Sequence, residues 1–133
     1  MDERRLLERF IEELRKTRKL SNGHISMLRS TFGERFDRAL KALEEMRVKK
    51  YIFEPSGRTL WIVVGKEREY EVLPDAWFCS CNDFYYRVLS GEVKLCYHLI
   101  SQKLAEALGK YETVRENDRF YRRLMEEWRG ETT

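Results

Sequence analysis

All three cysteines of the chain, and one of its two histidines, lie in the stretch WFCSCNDFYYRVLSGEVKLCYHLIS, Trp77 to Ser101. The candidates Cys79, Cys81, Cys96 and His98 read C-x-C, fourteen residues, then C-x-H. Three thiolates and an imidazole form a standard tetrahedral set for structural zinc, and four protein ligands leave no open position for catalysis. Three cysteines can also be small buried residues. A redox pair would more often show C-x-x-C. The gathering of every cysteine into two x-one pairs favours a metal.

Such a centre needs elements that aim the ligands. Alternate residues of an extended segment share a face, so Cys79 and Cys81 point the same way if Ala76 to Cys79 continues as strand. Cys96 and His98 fall at the start of a helix, where the positive end of the helix dipole favours thiolate. Between the pairs, Asp83 can cap a short helix through Leu89, with Phe84 and Val88 over the metal. Upstream, KYIFEPSGRTLWIVVGKEREYEVL is rich in β-branched and aromatic residues. It predicts strands near 49–54, 59–65 and 68–73, with Trp61 packed in the sheet.

The remaining chain has helical periodicity. Leu6, Leu7, Phe10, Ile11 and Leu14 mark a helix over residues 2–19, which SNG at 21–23 breaks. A short helix follows over 24–31, with His24 as a cap or surface residue at its start. A longer one over 34–47 turns Phe36, Ala39, Leu40, Leu43 and Met46 inward. The helix after the cluster buries Leu99, Leu104, Ala107 and Leu108 and stops or kinks at Gly109. Residues 113–129 read as a final helix carrying Phe120, Tyr121 and Trp128. Those aromatics fit either an exposed protein-binding surface or packing against the first helix.

The expected fold class is therefore α+β: N-terminal helices, a small antiparallel meander and C-terminal helices, with a Cys3His zinc site joining strand end to helix start. Three regions follow: a helical one over 1–48, a zinc-finger domain over 49–110, and a C-terminal helix over 111–133.

The order strand, CxC, helix, CxH resembles the SWIM zinc finger over about residues 50 to 108. CSCNDFYYRVLSGEVKLCYHLISQKLAEAL looks most like the archaeal and eukaryotic Shu/SWIM family, matching at Phe84, Val88–Leu89, Leu95–Cys96 and His98–Leu99. The chain differs where that pattern has Ala and Lys, carrying Ser101 and Tyr97. The resemblance implies a non-enzymatic, Zn²⁺-binding accessory protein of homologous recombination and DNA repair. Its implied partner is a RadA/RecA-type recombinase paralogue.

A second function class has weight from charge. Arg15, Lys16, Arg18 and Lys19 cluster in RKTRK, Lys49 and Lys50 lie in RVKK, and Arg58 sits on a turn. Three helices and a hairpin resemble a winged helix-turn-helix in outline, with 34–47 as recognition helix and EPSGRT as wing. That is the alternative of a DNA-binding regulator. Glu34, Asp37, Glu44 and Glu45 on the same helix fit a phosphate backbone poorly, and a solvated charged face is the plainer reading.

Bulk composition narrows the classes. The net charge of +3 is below that of a chain living on phosphate contacts, so any nucleic-acid binding is local, weak or through a partner. At 42% apolar the chain is not a disordered one, and its 37% charged residues carry the Glu/Lys/Arg bias of hyperthermophile proteins. No apolar run reaches the roughly 18 residues that span a bilayer, and MDERRLLERF is not a signal peptide. An intracellular, cytoplasmic location is expected, where clustered thiols bind metal in preference to pairing. No Gly-rich phosphate loop or nucleophile–base pair suggests an enzyme.

Overall fold

The computed structural model describes residues 2–82, 84, 90–91 and 95–129. Three helices come first: α1 (Glu3–Thr17), α2 (Asn22–Phe32) and α3 (Glu34–Glu44). Their ends follow from local chemistry. The Asp2 carboxylate accepts the Arg5 amide at 3.0 Å and so caps α1. Ser21 and His24 form a reciprocal capping box on α2. Gly33, at φ 60, turns the chain between α2 and α3, a conformation that side chains resist.

A sheet follows: β1 (Val48–Glu54), β2 (Arg58–Val64), β3 (Glu69–Leu73) and β4 (Phe78–Cys79), the last reached through a 3-10 turn at Pro74–Ala76. These pair antiparallel in succession, with Lys50 opposite Trp61, Trp61 opposite Val72, and Val72 opposite Cys79. Helix α4 (Tyr97–Leu108) ends at Gly109, φ 70. The chain then forms β5 (Glu112–Asn117) and, after a 3-10 turn, α5 (Tyr121–Arg129).

Residues 113–117 are therefore strand, and the helical reading of 113–129 holds only from Tyr121. Strand β5 runs parallel to β1, with Tyr51 opposite Val114, and makes the sheet mixed, in the order β4-β3-β2-β1-β5. The alternation of exposed and half-buried residues from Thr113 to Asn117 has period two, too brief to outweigh the helical pattern after it. Helix α3 also stops early. Met46 takes a left-handed φ of 52 and is 42% exposed, so it is not part of the core. Apart from Phe84, the expected helix over 83–89, with its Asp83 cap and Val88 packing, lies outside the described residues.

The sheet is covered on both faces, which explains why Leu60, Trp61, Ile62 and Val63 are all buried in a row. Trp61, Val63, Val48 and Val72 join the main core with α1, α3 and α4, including Leu7, Leu14, Phe36, Leu99 and Leu104. Leu60, Ile62 and Phe53 face the other way and pack with Met125 and Trp128 of α5. Trp128 is thus a core residue, 2% exposed, and it packs on the sheet, not on the first helix. Among the described residues no helix is long and apolar enough to cross a membrane.

Candidate metal centre

Cys79 ends β4, Cys81 follows by two residues, Cys96 is the N-cap of α4, and His98 lies in its first turn. Their ligand atoms all lie within 4.8 Å of one another, and all four residues are buried. Two local devices set the C-x-C arm. The Ser80 amide donates to the Glu71 carbonyl at 3.0 Å, and the Glu71 amide donates to Ser80 Oγ at 3.0 Å. Ser80 is thereby held against β3, which leaves its neighbours Cys79 and Cys81 on the opposite side. The Phe84 amide then donates to Cys81 Sγ at 3.3 Å, and the Phe84 ring stands edge-on to Phe78 at 5.2 Å.

The C-x-H arm is set from a distance. Arg35 of α3 forms a two-pronged ion pair with Glu3 of α1, at 2.8 and 2.6 Å. Arg35 also donates to the Leu95 carbonyl at 2.7 Å, and Glu3 accepts the Leu95 amide at 2.9 Å. Both backbone groups of the residue before Cys96 are fixed by this one pair, a hold of the kind that orients metal ligands. Nothing in the spacing of Glu3 and Arg35 signals it, since their partner Leu95 is 92 and 60 residues away, respectively.

The donor set fits a zinc ion. Three cysteines are free of disulfides. His98 is 5% exposed, wedged between the rings of Tyr70 (4.2 Å) and Tyr97 (4.0 Å), yet neither ring nitrogen has a hydrogen-bond partner. A buried imidazole without a partner is costly unless something binds it. The thiols are already polarised by each other. Hydrogen bonds from Cys79 and Cys96 push the Cys81 thiol down, while its bond to Cys81 and then to Cys96, with burial, pushes Cys79 up. The Cys79 bond lowers Cys96, but its bond to Cys81 and burial outweigh that and raise it to about 12. One thiolate is favoured and its neighbours hold protons against it, the state a divalent cation resolves by displacing those protons. A bound ion would tie sheet to α4; with four protein ligands it would supply cross-linking and no open coordination position.

Ser101, one turn on, is fully buried, and its Oγ donates to the Tyr97 carbonyl at 2.6 Å, so the small polar side chain is satisfied within the helix. His24 is tied to Ser21 and to Glu13, at 3.1 Å from the latter, and stands apart from the cluster as its capping role requires.

The seven basic candidates come from three segments of the chain. Arg15, Lys16, Arg18 and Lys19 are exposed at the end of α1. Lys49 faces Glu112 at 3.9 Å, and Lys50 lies 5.5 Å over the Trp61 ring. Arg58 lies 4.5 Å over Tyr121, in a cavity shared with Arg119, Arg122 and Arg129. Those last three were not singled out from sequence, because as part of a helix they read as an ordinary solvated face.

A strand end and a helix start that share a buried Cys3His cluster define a zinc-finger type of centre. No protein-family model matches the chain. It is 29% identical over 115 residues to "Zinc finger SWIM domain-containing protein 7 homolog" of Dictyostelium discoideum, covering 85% of this chain and 74% of that protein. The mouse "Zinc finger SWIM domain-containing protein 7" is 27% identical over 86% of this chain and 76% of its own length. An uncharacterized protein of Archaeoglobus fulgidus is 36% identical over 84 residues, 63% of this chain and 65% of that one. Together with the Cys3His cluster, these relatives support a SWIM zinc-finger protein.

Proposed function

We propose that the protein is a non-enzymatic adaptor of DNA repair by homologous recombination, whose zinc centre is structural and whose partner is a RadA/RecA-type recombinase paralogue. The observation that carries the adaptor reading is the closure of the cluster: four buried ligand atoms within 4.8 Å, on a strand end and a helix start. A metal there cross-links the sheet to α4 and has no vacant position from which to polarise a substrate. The recombination reading has its support in the CSCNDF and LCYHLIS motifs, which resemble the Shu/SWIM family.

Affinity purification of the tagged chain from its native host, followed by mass spectrometry, tests this. A RecA-type ATPase recovered in stoichiometric amount is expected from the intact protein. Repeated recovery of other proteins with no such ATPase would overturn the partner assignment while leaving the zinc centre untouched.

A further inference from the structure

The far end of the sheet from the β2–β3 turn carries a cavity of about 360 Å³ lined by Arg58, Asp118, Arg119, Tyr121, Arg122, Met125 and Arg129. Four of its seven residues are arginines, against one carboxylate. That carboxylate is already engaged, since Asp118 accepts from the Ser56 amide at 2.8 Å and from Ser56 Oγ at 2.6 Å. Arg129 is paired with Glu71 at 3.2 Å. Arg119 and Arg122 have no acidic partner among the described residues.

Arginine is the residue suited to bidentate phosphate contacts, and three guanidinium groups line this one cavity from β2, the 3-10 turn before α5, and α5 itself. The aromatic faces are not vacant. Arg58 covers Tyr121 at 4.5 Å, and Arg119 and Arg123 lie 4.8 and 5.1 Å from the Phe120 centroid. Rings so covered pre-position guanidinium groups and do not offer a platform to bases. The larger cavity beside His98, about 640 Å³, is a weaker anion site, because Glu45 and Glu67 line it with its cations and Arg47 is engaged by Glu45 at 2.9 Å.

We infer that the Arg58–Arg119–Arg122 pocket binds the phosphate backbone of a nucleic-acid strand, without base preference. This stands apart from the adaptor reading, and it locates contact away from the N-terminal basic cluster. Fluorescence anisotropy with a labelled 20-mer oligodeoxythymidylate and a mixed-sequence strand, on the intact zinc-loaded chain, provides the test. Both strands are expected to bind equally, and Arg119→Gln/Arg122→Gln to weaken binding by about tenfold or more at low salt. The double variant should also reduce the slope of log K against log salt by about 1.4, since each lost contact to a single strand is worth about 0.7. Zinc content and circular dichroism should match the parent. The inference fails if the parent does not bind, if the double variant binds unchanged, or if Lys16→Gln/Lys19→Gln loses as much. It fails equally if polyglutamate of the same length competes as well as the oligonucleotide, which would make the pocket a site for an acidic protein segment.

Discussion

The two faces of the sheet are held by different physics. On one, α1, α3 and α4 form a continuous apolar core that runs up to Cys79, Cys81 and Cys96. On the other, one nine-residue helix, α5, rests on Phe53, Leu60 and Ile62 through Met125 and Trp128. The first face depends on ligands from two chain segments meeting at a point. The second depends on aromatic area, with Trp128 edge-on to Tyr51 at 4.8 Å and Tyr121 edge-on to Phe53 at 5.1 Å. Polar groups pin it at its margin, where Trp128 Nε1 donates to Glu69 at 3.1 Å and Arg129 meets the buried Glu71. A metal-centred face fails as a unit, whereas an aromatic face loses stability in proportion to the area removed.

The largest effect should come from breaking the metal-centred face. Structural zinc in small domains contributes an apparent binding free energy of about 10–16 kcal/mol. That is comparable to the whole stability of a domain, about 5–15 kcal/mol. Chelation, or Cys81→Ser, should therefore abolish the cooperative melt, with metal measured at one zinc per chain in the parent and none after treatment. A chelated protein that melts as before would remove zinc from the account of the fold.

Next in size is Trp128→Ala. Truncating a buried tryptophan costs about 3–5 kcal/mol. If the two faces are separable, the variant melts lower but retains one zinc per chain. Simultaneous loss of zinc would mean that α5 supports the metal through the sheet, and the division into two faces would fall.

The metal-centred face was more legible than the other. Cys79, Cys81, Cys96 and His98 carry their chemistry in their own identities, and x-one spacing fits both a strand end and a helix start, so four residues suffice to see the cluster. The strands of the meander were equally plain, because runs rich in β-branched and aromatic residues lie between punctuating turns. The aromatic face was obscure for a physical reason. Thr113 to Asn117 becomes strand only because β1 offers it a free edge, a partner more than 60 residues earlier in the chain. Trp128 looks like an exposed anchor until the sheet is known to need a cover on that side. The Glu3–Arg35–Leu95 hold was hidden in the same way. Its side chains, Glu3 and Arg35, are ordinary charged helix residues, and only the packing of α1 beside α3 and α4 brings them to the backbone of Leu95.

Met46 supplies the smallest effect and a calibration for the other two, since it belongs to neither face. Helical periodicity puts it inward with Leu43, and truncation of a buried methionine would cost about 2–5 kcal/mol. The fold instead ends α3 at Glu44, closes the turn with the Met46 amide donating to the Leu43 carbonyl at 3.1 Å, and leaves the side chain 42% exposed at φ 52. A left-handed conformation costs a residue with a Cβ about 1–2 kcal/mol, and glycine is free of that penalty. Glycine also gives up more freedom on folding, which offsets part of the gain. Met46→Gly should therefore raise stability by about 0.5–1 kcal/mol, read as a higher denaturant midpoint at an unchanged slope. A loss of several kcal/mol would return Met46 to the core of the metal-centred face and extend that face through the α3–β1 turn.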